Sequence, residues 1–159
     1  MSGGISGPFA IEIGEDTTAG TMVLAGNNTY NIGALEGADP LDIGANTLSV
    51  GTKAADTTFA GDISGASGGL TKVGSNKLTL TAGTSYTGAT QISGGTLALS
   101  GSGTVNGSSG ISINGSGAKL LHTGSTAISP AVTLTNGTLT GSGTVNTVNV
   151  GAGTGGIIS

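Results

Sequence analysis

"KLTLTAGTSYTGATQISGGTL" (residues 77–97) and "KLLHTGSTAISPAVTLTNGTL" (residues 119–139) align without a gap at an offset of 42, and the phrase "GSGTVN" follows each, at 101–106 and 141–146. The two copies agree at 8 of 21 positions. Leu78 to Leu97 is 19 residues, Leu120 to Leu139 is again 19, and Leu97 to Leu120 is 23. The apolar residues inside each copy alternate with small polar ones, as in L-x-L here, "ISI" at 111–113 and "VNV" at 148–150. Period two belongs to half-buried strands, and no helical spacing accompanies it. A strand pattern that returns about every 20 residues predicts an all-β fold in which short parallel strands stack as coils of a β-solenoid.

A third, looser copy precedes these two. "FAIEI" (9–13) answers "FAGDI" (59–63), "TMVLAGNNTY" (21–30) answers the stretch from Lys77 to Tyr86, and "NTLSV" (46–50) answers "GTLAL" (95–99). The unequal offsets place loop insertions in the first copy, with "EGADPLD" (36–42) as one of them. The chain is read as a single domain over 1–159, with degenerate copies at about 9–50, 59–99 and 111–146. Asn-Gly pairs at 106–107, 114–115 and 136–137 fall between the strand beats, where a chain turning a corner favours positive φ. The inward set expected from the alternation is Phe9, Ile11, Ile13, Met22, Leu24, Leu48, Val50, Phe59, Ile63, Leu78, Leu80, Ile92, Leu97, Leu99, Ile111, Ile113, Leu120, Leu134, Leu139, Val148 and Val150.

Composition narrows the function. With 33 glycines in 159 residues and 8% charged residues the chain could be taken for a disordered one, yet the mean hydropathy is +0.25 and the aliphatics are regularly spaced. There is no arginine, and four lysines against eight acids give a net charge of −4, so no basic surface exists to neutralise phosphates and nucleic acid is not a partner. Cysteine is absent, which removes disulfides and thiolate metal sites. No stretch approaches the roughly 20 apolar residues of a membrane helix, so no membrane span is expected in this chain. "MSGGISGPFA" lacks the basic and apolar regions of a signal peptide, which places any export signal or anchor outside the sequence in hand.

The segment 59–99 carries F-x-G-x-I-S-G (Phe59 to Gly65), G-L-x-K-x-G (Gly69 to Gly74), L-T-L-x-x-G (Leu78 to Gly83), Y-x-G-x-T (Tyr86 to Thr90) and G-G-T-L (Gly94 to Leu97). This pattern resembles the passenger-associated repeat of bacterial autotransporters, also called the autotransporter-associated β-strand repeat. The resemblance implies a right-handed single-stranded parallel β-helix, a place outside the cell or on the bacterial surface, and a role as an adhesin stalk or an aid to export. The C-terminal barrel of such proteins is not part of the sequence, which ends "GAGTGGIIS".

Reactive chemistry is scarce. All eight acids lie in residues 1–62, so the rest of the chain has no carboxylate for acid–base work, and an enzyme is not expected. Asp39, Asp42 and Asn46 in "GADPLDIGAN" are weak calcium candidates, since they offer hard oxygens from one loop without an EF-hand or β-roll spacing. His122 occupies the register of Leu80 and is expected to point inward as a structural residue; no cofactor is expected. The expected function is a non-catalytic structural or adhesive extracellular solenoid, a passenger stalk or a fibre unit that stacks end to end. The alternative is a carbohydrate-binding or polysaccharide-acting β-helix, with a host or surface glycan as partner. Head-to-tail self-association would use Ile5, Phe9, Ile11 and Ile13 at one end and Val148, Val150, Ile157 and Ile158 at the other, because solenoid ends expose unpaired strand edges. The halves are also opposite in charge: eight acids against Lys53 give −7 for residues 1–62, and three lysines give +3 for 63–159.

Overall fold

The computed structural model describes residues 10–13 and 20–159, with side chains for 20–151 and 155–159. Every element in it is a strand: β1 (Ala10–Ile13), β2 (Met22–Val23), β3 (Thr29–Ile32), β4 (Ala34–Gly37), β5 (Leu41–Asp42), β6 (Thr47–Val50), β7 (Thr57–Phe59), β8 (Ile63–Ser64), β9 (Gly69–Lys72), β10 (Lys77–Leu80), β11 (Thr90–Ile92), β12 (Thr96–Leu99), β13 (Ile111–His122), β14 (Val132–Thr140) and β15 (Val148–Ile158). All pairings are parallel, and they join stretches of chain about 20 residues apart. The chain is a parallel β-solenoid of about 7 turns. At one strand spacing per turn the coils stack to roughly 35 Å.

Three faces run along the rod. The first stacks β1, β4, β7, β10 and β12 and then the C-terminal part of β13, while the second stacks β3, β6, β9 and β11 and then the N-terminal part of β13. Strands β13 to β15 are long because they run around the corner that joins these two faces, with register shifts where the corner falls. The third face is the short ladder β2–β5–β8. Beyond β8 it continues through single backbone bonds such as Ser85 N–H to Ile63 O at 2.9 Å and Ile128 N–H to Thr144 O at 2.9 Å.

The interior is a set of side-chain columns. Leu78, Leu97, Leu120 and Leu139 occupy successive rungs of the first face, which is the 19, 23 and 19 spacing read from the sequence. Beside them run Phe59, Leu80, Leu99 and His122. On the second face Leu48, Leu70, Thr90, Ile111 and Val132 form one column and Ile32, Val50, Lys72, Ile92, Ile113 and Leu134 the other. The offset of 42 between the two best copies is therefore two coils.

Three sequence expectations need correction. Val150 is 62% exposed, and Met22 and Val148 are only half-buried. Val150 and Val148 belong to the last rung, which no further rung covers in this structure, and Met22 lies on the narrow third face. Phe9 lies outside the described residues, and Ile11 and Ile13 are described by backbone alone.

The first copy also sits on different faces from the stretches it matches. Met22 pairs with Leu41 on the third face, whereas Leu78 lies on the first, and Leu48 lies on the second whereas Leu97 lies on the first. A single glycine explains part of this shift. After Tyr86 the chain turns at Gly88, whose Cα lies so close to Gly68 O of the preceding coil that a Cβ would collide with it. After Tyr30 stand Asn31 and Ile32, which continue the strand, so Tyr30 becomes a rung residue opposite Leu48 while Tyr86 fills a corner.

Leu97 is fully buried in mid-column. Leu97→Asp would place an unpaired charge there, at a cost of about 3–5 kcal/mol or more. Loss of the strand signal in circular dichroism is expected for this variant, while Thr133→Asn, at an exposed outward position, should melt within a few degrees of the parent.

Candidate functional site

Parity along β9 decides the most unusual residue of the molecule. Leu70 points inward, so Lys72, two residues on, must point inward as well, and it lies fully buried between Val50 and Ile92 in an otherwise aliphatic column. Its Nζ donates to Val73 O and, at 3.0 Å, to Asn76 Oδ1, and the Asn76 amide in turn donates to Ala55 O of the preceding coil at 2.8 Å. Gly51 makes room for this arrangement: it has φ +124°, and a Cβ there would sit 2.7 Å from the Lys72 Nζ. Burial pushes the Lys72 ammonium down from 10.5 to about 8, with the charge of Asp56 acting in the opposite direction. In the sequence Lys72 stands as one of four positive charges and as the lysine of G-L-x-K-x-G; the alternation Leu70, Thr71, Lys72 is the signal that places it inside.

A second polar cluster replaces aliphatics one coil on. Tyr86 Oη lies 2.6 Å from Thr90 Oγ1, which donates to Ser108 Oγ at 3.0 Å, and Ser108 Oγ lies 2.9 Å from the carbonyls of Gly88 and Gly110. Burial pushes the Tyr86 phenol up to about 12, an effect that the hydrogen bond with Thr90 partly offsets. Each hydroxyl has a partner, so the cluster is a coil-to-coil tie and not a set of free nucleophiles. Tyr86 is fully buried and Tyr30 nearly so, with its hydroxyl on Ala25 O, which leaves neither ring available for stacking on a sugar.

Three aspartates are engaged in the same way. Asp42 Oδ1 accepts the Gly44 N–H at 2.8 Å, Asp56 Oδ1 accepts the Lys77 N–H of the next coil at 2.7 Å, and Asp62 Oδ2 accepts Ser85 Oγ–H at 3.0 Å. Asn46, one of the calcium candidates, is fully buried and its amide ties backbone groups: Nδ2 donates to Leu24 O and Ile43 O, and Oδ1 accepts the Asn28 N–H at 2.7 Å. Asp39 and Asp42 are half-buried in the same loop. Among the described residues no group of three or more His, Asp or Glu could hold a metal ion. His122 points inward as expected and is 1% exposed; among the described residues neither ring nitrogen has a partner.

The described assembly candidates lie on the outermost rungs. Val150, Ile157 and Ile158 are 62%, 57% and 61% exposed on β15, whose described pairing is with β14 alone. Of these, Ile158 lines a hollow of about 230 Å3 at that end, together with Val148, Leu139, Val145 and His122. Ile11 and Ile13 belong to β1, which pairs with β4 alone, and Ile5 lies outside the described residues.

Coil-to-coil ties, small turn residues and an aliphatic interior define a repeat-built parallel β-solenoid. The passenger-associated-transport-repeat family model matches residues 19–31 and 70–99. No curated protein and no solved structure matches the chain. The repeat match and the solenoid together fit an autotransporter passenger-like unit, and that repeat family suggests a secreted or cell-surface protein. No helix among the described residues is long and apolar enough to cross a membrane.

The Lys72 corner gives a signed prediction. Between pH about 8 and 10.5 the unfolded chain still holds the Lys72 proton while the folded chain has released it, so stability from this group rises with pH across that window. Lys72→Met, which fits the aliphatic column, is expected to remove that rise, as read from urea midpoints at pH 7.5, 9 and 10. An unchanged slope in the variant would contradict the burial of the amine.

Proposed function

We propose that this chain is a non-catalytic structural segment of an extracellular passenger: a stalk that holds other parts away from a surface. The observation that carries this reading is the fate of the polar side chains. Lys72, Asn46, Asn76, Tyr86, Thr90, Ser108 and the three bonded aspartates serve turns or ties between coils, and none converges on a cleft with a free acid and base. Stacking end to end is the finer version of the proposal. It draws support from the exposed aliphatics of β15, from the single described pairing of β1, and from the opposite charges of the two halves.

One observation favours the carbohydrate reading. A shallow groove on the second face runs past Gln91, Ser112 and Thr133 over a floor of Ala89, Gly110 and Ala131, an uncharged surface suited to hydroxyl-rich chains. A glycan array separates the readings: binding lost in Gln91→Ala with the fold intact would favour a carbohydrate module.

Assays on pectin, glucans and mucin glycans are expected to show no turnover; activity lost in Asp39→Asn or Asp42→Asn would establish an enzyme instead. Analytical ultracentrifugation tests stacking, where concentration-dependent assemblies are expected for the parent and monomers for Val150→Lys. A parent that stays monomeric at high concentration leaves the stalk without self-assembly.

A further inference from the structure

The three Asn-Gly pairs are alike in sequence and unlike in the fold. Asn106 is clamped across coils: its Nδ2 donates to Ala127 O at 2.9 Å and its Oδ1 accepts the Ser129 N–H at 2.9 Å. Asn136 is half-buried and stacked between Asn114 and the Gly155 rung. Asn114 is exposed, and among the described residues its carboxamide has no hydrogen-bond partner. It also stands where β13 loses register with β14, with shifts on both sides of the Asn114–Asn136 pair. Gly115, the next residue, is half-buried with its Cα against the Ser93 carbonyl of the preceding coil, while Ser116 and Gly117 beyond it are exposed and a Cβ at Gly117 would meet nothing within 4 Å.

We propose that Asn114 is a site of spontaneous self-modification, at which the chain converts a neutral side chain into a carboxylate as it ages. The Gly115 backbone nitrogen, after loss of its proton to water or hydroxide, attacks Asn114 Cγ. The N–Cγ bond forms, the Cγ–Nδ2 bond breaks, and Nδ2 leaves as ammonia. Water then opens the five-membered imide at either carbonyl and leaves an aspartyl or an isoaspartyl residue at position 114. No electron transfer is involved. Glycine at 115 presents no side chain to hinder the attack, and the exposed Asn114 carboxamide has room on the solvent side to rotate onto the nitrogen. At Asn106 the same rotation requires two inter-coil hydrogen bonds to break first.

The product matters because residues 63–159 hold no acid of their own. The modification adds the first negative charge to that half, and the isoaspartyl form lengthens the backbone within β13, the strand that joins the first two faces. Neither effect depends on the passenger or the carbohydrate reading.

Intact protein incubated at pH 8.5 and 37 °C, then digested and sequenced by mass spectrometry, provides the test. Each converted site gains about 1 Da, and isoaspartate is scored by enzymatic methylation. In the native protein conversion at Asn114 is expected to outpace that at Asn106 by about tenfold or more, and in urea the two should agree within about threefold. Asn114→Ser should remove the early product while leaving the slow conversion at Asn106 unchanged. Equal native rates at the two sites, a ratio that urea does not reduce, or an Asn114 that stays intact while Asn106 converts would each overturn the proposal.

Discussion

The parallel hydrogen-bond ladder between successive coils is the constraint from which the rest follows. Each rung can pair only if the chain returns to the same face after one turn, so the spacing along Leu78, Leu97, Leu120 and Leu139 stays near 20 residues. The cross-section is then narrow, and three short faces enclose only a few side-chain columns. That is why one lysine or one threonine in a column needs its own partners, and why the corners need residues that tolerate close backbone approach. Glycine and threonine are abundant here because corners and outward strand positions outnumber interior ones.

The polar residues show how the ladder is reinforced where it is weakest. Backbone bonds run along the faces, and the corners between them leave donors and acceptors over. Asn46 meets those at one corner, Asn76 with Lys72 at another, and Ser108 with Thr90 and Tyr86 at a third. Each spans from its own coil to a neighbouring one. A disulfide would do the same work in a shorter chain with cysteines; here buried amide and hydroxyl bonds do it, each contributing on the order of 1 kcal/mol.

Much of the fold was legible because strand parity and coil length are both one-dimensional. The inward positions of Leu78, Leu97, Ile111, Ile113 and His122 follow from alternation alone. The face on which a strand lies was not legible, because it depends on how many residues each corner consumes. Tyr30 and Tyr86 match in sequence and differ in place for that reason. The candidate site was less legible still. Lys72 carries the parity of a core residue and the chemistry of a surface one, and the two signals conflict in the sequence. The use of Asn46 as a corner plug required knowing that the Leu24 and Ile43 carbonyls face it from two coils.

Because each coil touches only the coil before and after it, tension applied along the rod axis reaches the inter-coil bonds one layer at a time. A globular domain resists pulling until it fails as a unit. This molecule would instead peel from an end, each released coil adding about 20 residues of slack before the next layer bears the load. A tether made this way lengthens in many small steps under a rising pull, and it can rewind by the same steps when the pull is released, since the template for each coil is the one still in place.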